Sequence, residues 1–129
     1  MAVFQESIHI DRSPAEVWEV IGDVGNINVW LPFITEAEMD GDYRNCQAGS
    51  NGGLRERILS VDDATMRTEY TILEAPMPIE FIHAGIQVSQ DNGGSCVVWD
   101  TTVTPDELVE MFVPIYQEGL ANLKSQLEA

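Results

Sequence analysis

Apolar residues fall on alternate positions through most of this chain, and only near its end do they shift to three- and four-residue steps. In Phe4-Gln-Glu-Ser-Ile-His-Ile10, Phe4, Ile8 and Ile10 share one face and Gln5, Ser7 and His9 the other. This predicts a half-buried strand, with Glu6 as an exception on its apolar side. Ser13-Pro-Ala-Glu16 then reads as a capping box with proline in the first helical position, opening a short helix that carries Val17, Trp18, Val20 and Ile21 and stops near Gly22. Asp23 to Trp30 predicts a second brief helix, ended by Pro32. Turn clusters at Asp40-Gly-Asp42, 49–53, 62–64, 75–78 and 91–94 separate six further strands, near 34–40, 43–48, 54–61, 66–74, 79–89 and 95–104. At the end, Ile115, Tyr116, Gly119, Leu120, Leu123 and Leu127 form one stripe of an amphipathic helix. Because proline inside a helix removes a hydrogen bond, a separate helical turn over Asp106–Met111 and a main helix from near Pro114 are expected.

The element order is therefore β-α-α-β6-α, an α+β class. Hairpin connections make the seven-stranded sheet antiparallel, and the lone long helix must lie across one face of it. Turn centres set the register. They place Arg44 opposite Glu56, Glu56 opposite Tyr70, Tyr70 near Ala84 and Ala84 near Thr101. The covered face is then apolar at Ile72, Ile82, Ile86, Val97 and Trp99, and an Arg44–Glu56–Tyr70 row crosses its middle. An arginine beside a glutamate on a covered face is costly unless paired. Two readings stand: a cross-strand ion pair that fixes register, or polar groups converging on an apolar binding cavity.

Charge narrows the partners. With 22 acidic and 6 basic residues the formal net charge is −16, which repels phosphate backbones and anionic lipid, so neither nucleic acid nor membrane insertion is expected. A chain of 129 residues with no apolar run near twenty suits one domain over 1–129. Cys46 and Cys96 are too few for a disulfide framework and the N-terminus lacks an export signal, which together suggest a reducing, cytoplasmic setting. His9 and His83 point outward and apart, so no metal site is expected, and the glycine-rich Gly49–Gly53 lacks the lysine and helix of a phosphate cradle. No cofactor is expected.

Several stretches resemble one superfamily. These are Ile10-Asp-Arg-Ser-Pro-Ala-Glu-Val-Trp18, Gly22-Asp23, Trp30-Leu-Pro32, Gly53-Leu-Arg-Glu-Arg-Ile-Leu-Ser-Val-Asp-Asp63, Tyr70-Thr-Ile-Leu, Val97-Val-Trp99 and Tyr116-x-x-Gly119-Leu-x-x-Leu-Lys124. In order and spacing they resemble the START-like, or SRPBCC, superfamily in its polyketide cyclase/dehydrase branch. The resemblance implies a helix-grip fold with a hydrophobic cavity between sheet and terminal helix. It also implies a small hydrophobic ligand, polyketide-, lipid- or aromatic-like, held by a carrier or sensor that is a monomer or homodimer. Arg44, Glu56 and Tyr70 occupy positions this branch commonly fills with those residues. The residues expected around a ligand are Trp30, Phe33, Arg44, Glu56, Tyr70, Ile72, Ile82, Ala84, Ile86, Trp99, Thr101, Phe112, Ile115, Tyr116 and Gly119. Gly119 costs about 1 kcal/mol in helix propensity against alanine, so close approach of ligand or of the strand beneath it is expected. An alternative is a cyclase, dehydratase or isomerase without metal or nucleotide cofactor. Glu56 would be its base, with Tyr70 or Arg44 stabilising the oxyanion and Glu6 and Glu69 as weaker acid/base candidates. A second alternative is a non-enzymatic protein-interaction module.

Overall fold

A computed structural model describes residues 1–129. Strand β1 (Ala2–Ile10) leads into helix α1 (Pro14–Ile21), a 3-10 helix at Val24–Val29, and then β2 (Glu36–Asp40), β3 (Tyr43–Gln47), β4 (Gly53–Asp62), β5 (Arg67–Glu74), β6 (Phe81–Asp91) and β7 (Gly94–Thr104). A 3-10 turn at Asp106–Leu108 runs into α2 (Val109–Glu128). The predicted capping box is present: Ser13 Oγ accepts from the Glu16 amide at 3.2 Å, and Glu16 Oε1 from the Ser13 amide at 3.4 Å. Asn92 and Gly93 both take positive φ, 46° and 80°, which gives the β6–β7 hairpin the left-handed turn its strand twist favours.

All seven strands form one antiparallel sheet in the order β1-β7-β6-β5-β4-β3-β2. The first and second strands thus sit at opposite edges, and the two short helices carry the chain from one edge to the other. Three of the four predicted cross-strand pairs are present: Arg44 with Glu56, Tyr70 with Ala84, and Ala84 with Thr101. The fourth is corrected. Glu56 faces Ile72, and Tyr70 faces Ile58. The β4–β5 turn takes four residues between Asp62 and Arg67, and Leu59 bulges out of β4. The net offset on β5 is two residues. Strand side chains alternate with a period of two, so an even slip leaves Glu56 and Tyr70 both on the covered face.

The helix start is corrected as well. Helix α2 runs unbroken from Val109, with Pro114 inside it, and the expected separate turn over Asp106–Met111 is only its 3-10 lead-in. Pro114 and Glu110 are both exposed, so the carbonyl deprived of a donor by the proline lies on the side of the helix that water can reach. On the other side Phe112, Tyr116, Leu120 and Leu123 are buried against the sheet. Polar side chains on the flanks lock the helix in place. Lys124 Nζ donates to the His9 carbonyl at 2.7 Å, Gln117 Nε2 to Glu6 at 2.9 Å, and Asn122 Nδ2 to the Trp30 carbonyl at 2.9 Å.

On the convex face Arg67 reaches across Gly85 to Asp100, placing Nη1 and Nη2 each 2.9 Å from a carboxylate oxygen. Its Nε donates to Glu69, whose other oxygen meets His83 Nε2 at 2.8 Å. A Cβ at Gly85 would run into the guanidinium, so only glycine lets the arginine lie flat on the strand. Backbone pairing of β5 with β6 stops at Tyr70–Ala84; Thr71 Oγ1 still donates to the Ile82 carbonyl, and beyond it the two strands part toward the loop at 75–80.

Candidate functional site

The Arg44–Glu56 pair is covered on both sides, with side chains only 2% and 8% exposed. Alternation on β3 and β4 turns both inward, and their direct pairing brings Arg44 Nε to Glu56 Oε1 at 2.7 Å. Arg44 Nη1 donates to the Val24 carbonyl at 3.0 Å, and the guanidinium carbon lies 5.0 Å from the centre of the Tyr70 ring. Nη2 has no partner and is the sole fully sealed side-chain nitrogen or oxygen in that state. Burial works against the guanidinium charge, yet the neighbouring Glu56 carboxylate and the Tyr70 oxygen outweigh it and hold the arginine above its ordinary pKa. Cys46 Sγ also approaches Glu56 Oε1, at 3.5 Å. Burial, then the adjacent carboxylate, pushes this thiol up to about 12, so Cys46 acts as a small buried hydrophobe and not as a nucleophile.

Aromatic side chains fill the space beside the pair. Trp99 and Tyr116 stack at 3.7 Å with planes 6° apart, and Trp30 meets Trp99 edge-on at 5.5 Å. Trp99 Nε1 donates to the Tyr70 hydroxyl at 3.2 Å, while the Tyr116 hydroxyl and Thr101 Oγ1 are 2.7 Å apart. Burial holds both tyrosines well above the ordinary phenol pKa, so they remain protonated donors.

What remains open is small. A chamber of about 30 Å³ lies between the sheet, α2 and the segment 27–34. Phe33, Glu56, Tyr70, Ile72, Trp99, Phe112, Ile115 and Tyr116 line it, joined by Ile27, Leu31, Ile34 and Leu54. Sequence reasoning missed those last four. Ile27, Leu31 and Ile34 lie in a non-strand segment where no periodicity assigns a face, although Leu54 shares parity with Glu56 and could have been found. Phe33, Ile72 and Ile115 are half-buried and form the mouth, next to the splay between β5 and β6. A second pocket of about 10 Å³, on the far side of Tyr70, is lined by Trp30, Arg44, Tyr70 and Ile86 among others.

The expected set is therefore divided. Trp30, Arg44 and Ile86 belong to the smaller pocket, and Ile82, Ala84, Thr101 and Gly119 line neither, since aromatic rings cover the strand positions. At Gly119 the close neighbour is the side chain of Leu31. A Cβ there would lie 2.5 Å from Leu31 Cδ1, 3.4 Å from Trp30 and 3.6 Å from Trp99. Glu6 is bonded to Gln117, and Glu69 lies on the convex face with Arg67 and His83, so neither approaches the chamber. No three His, Cys, Asp or Glu side chains converge as a metal site requires, and no helix is long and apolar enough to cross a membrane.

Comparison with known proteins extends this picture. The sequence model of the family described as polyketide cyclase/dehydrase and lipid transport matches residues 1–128. No curated protein matches the chain. Among solved structures, the protein XoxI from Bacillus cereus is 30% identical over 100% of this chain and 99% of its own, with a TM-score of 0.93. An uncharacterised protein from Bacillus thuringiensis is 26% identical over 99% of this chain and 100% of its own, at a TM-score of 0.91. Ara h 8.0201, at 20% identity over 97% of this chain and 96% of its own, superposes at 0.75 and shares the helix-grip fold.

Proposed function

The chain belongs to the polyketide cyclase/dehydrase and lipid transport family, and from that premise we propose that it binds a small hydrophobic molecule between the sheet and α2, as a carrier or sensor. The observation that carries this reading is the chamber itself, in which eleven of the twelve lining residues are apolar or aromatic and the twelfth is a buried carboxylate. An apolar pocket with very few placed polar groups is how proteins hold such ligands. A drug-sized molecule needs roughly 300 Å³ or more, far above the 30 Å³ at hand. Binding therefore displaces side chains, and the half-buried trio at the mouth, Phe33, Ile72 and Ile115, is the set with room to move. Proton abstraction by Glu56 has less support, because Arg44 and Cys46 both donate to Oε1 and leave only Oε2 free.

Native mass spectrometry of the purified protein, followed by titration with an apolar probe, tests the proposal. One retained or titrated hydrophobic molecule per chain is expected, with a large negative heat-capacity change. A protein that comes down empty and takes up no apolar probe is not a carrier. A probe that binds without perturbing the Trp99 and Ile115 resonances places the site elsewhere.

A further inference from the structure

The ion pair does not present its two ends to the same space. Glu56 borders the larger chamber and Arg44 does not, whereas Arg44 borders the smaller pocket and Glu56 does not; Tyr70 stands between and touches both. The chamber thus sees the acceptor end of the pair. Glu56 Oε1 is occupied by Arg44 Nε at 2.7 Å, but Oε2 makes no hydrogen bond and is not among the sealed atoms. Tyr70, whose hydroxyl accepts from Trp99 Nε1 at 3.2 Å, lines the same chamber. No other charged side chain lines the chamber.

Building on the binding reading above, we propose that the buried end of the ligand carries a neutral hydroxyl, a phenol or an alcohol, in preference to a carboxylate or an ammonium group. A hydroxyl can donate to Glu56 Oε2, so the one acceptor of the pair left unmatched finds a partner. A carboxylate would meet a like charge at Oε2. An ammonium would be stripped of water to face a carboxylate whose charge Arg44 already balances, and a buried ion without its own countercharge is expensive. A plain hydrocarbon fits the walls but leaves Oε2 unbonded.

Isothermal titration at neutral pH with four probes sharing one ring system tests this: naphthol, naphthoate, naphthylmethylammonium and unsubstituted naphthalene. Naphthol should bind at least about tenfold tighter than either ion, and tighter than naphthalene, as sites built to hydrogen-bond a hydroxyl discriminate strongly. If naphthoate or the ammonium probe equals naphthol, the hydroxyl preference is refuted while hydrophobic binding stands. If no probe binds, the binding reading itself fails, and this inference with it. Glu56→Gln keeps the shape, removes the anionic oxygen and frees the Arg44 charge, so the order should swing toward naphthoate. An unchanged order in a folded variant would remove Glu56 from the proposal, and if that variant does not fold, the series on the native protein still decides.

Discussion

Replacing Arg44 by methionine keeps much of the side-chain volume but leaves Glu56 as a buried charge with only a thiol for company. At 2.7 Å and an effective dielectric constant near 20, the lost attraction is about 6 kcal/mol. Much of that is offset, since the native state desolvates both ions and leaves Arg44 Nη2 unpaired, an omission that by itself costs about 1–3 kcal/mol. Breaking one side of a buried pair typically costs about 3–5 kcal/mol, and the orphaned nitrogen places the expected value at about 3. The double variant Arg44→Met/Glu56→Leu removes both charges and should lie within about 1 kcal/mol of the native protein, or above it. Urea unfolding followed by fluorescence of the buried Trp30 and Trp99 measures all four corners of the cycle. A single variant that costs less than about 1 kcal/mol, or a double variant no better than the single, would show that packing and not charge is the chief contribution of the pair.

Gly119→Ala gains about 1 kcal/mol in helix propensity but drives a methyl into the buried Leu31 at 2.5 Å. Overpacking costs about 1–3 kcal/mol, so a lower melting temperature is expected, and a rise would show that the 27–34 segment yields freely. Tyr70 and Tyr116 have native pKa values raised by burial, so the unfolded chain gives up these protons first and stability falls as pH climbs past the ordinary phenol value of 10.0. Phenolate absorbance from both should appear together with the loss of native fluorescence, and reversible ionisation in the folded protein would contradict the burial argument. His9 lies between Asp91 and Asp11, at 3.0 and 2.9 Å, and Asp91 first and Asp11 second raise its pKa above 6.5. Its stabilising effect is present below 6.5 and is lost as pH rises through the higher native value, so His9→Asn should lower the melting temperature more in acid than in alkali. Ring-proton NMR should place the native midpoint above 6.5, and a lower value would show the carboxylates to be solvated.

Most of the sheet was legible because turns and alternation are local signals. Asn92-Gly93 and the five residues at 49–53 put Arg44, Glu56, Ala84 and Thr101 in their true register. The β4–β5 pairing escaped because its turn takes four residues and lies beyond Asp63, and the Leu59 bulge takes back only one residue of that shift with no glycine or proline to mark it. Pro114 is a related case: the intrinsic cost of a proline in a helix is visible in the sequence, whereas the exposure of its outer face, which makes that cost small, is not. The contents of the chamber were the least legible. Parity places Ile82, Ala84 and Thr101 on the covered face correctly. It cannot say that Trp99 and Tyr116 stack over that face, because ring orientation depends on contacts between residues far apart in sequence.

The edge position of β1 also sets a timetable. Its only strand partner is β7, so Ala2–Ile10 waits until residues 94–104 exist before its backbone can be paired. Strands β2 to β7 meet their neighbours through short connections and can zip up as successive hairpins, whereas closing β1 onto β7 spans nearly the whole chain. During synthesis β1 therefore emerges well before its strand partner, with Phe4, Ile8 and Ile10 uncovered in the interval. Helix α2 follows β7 and rests on β1, so the strand and the helix that cover β1 both come from the last third of the sequence.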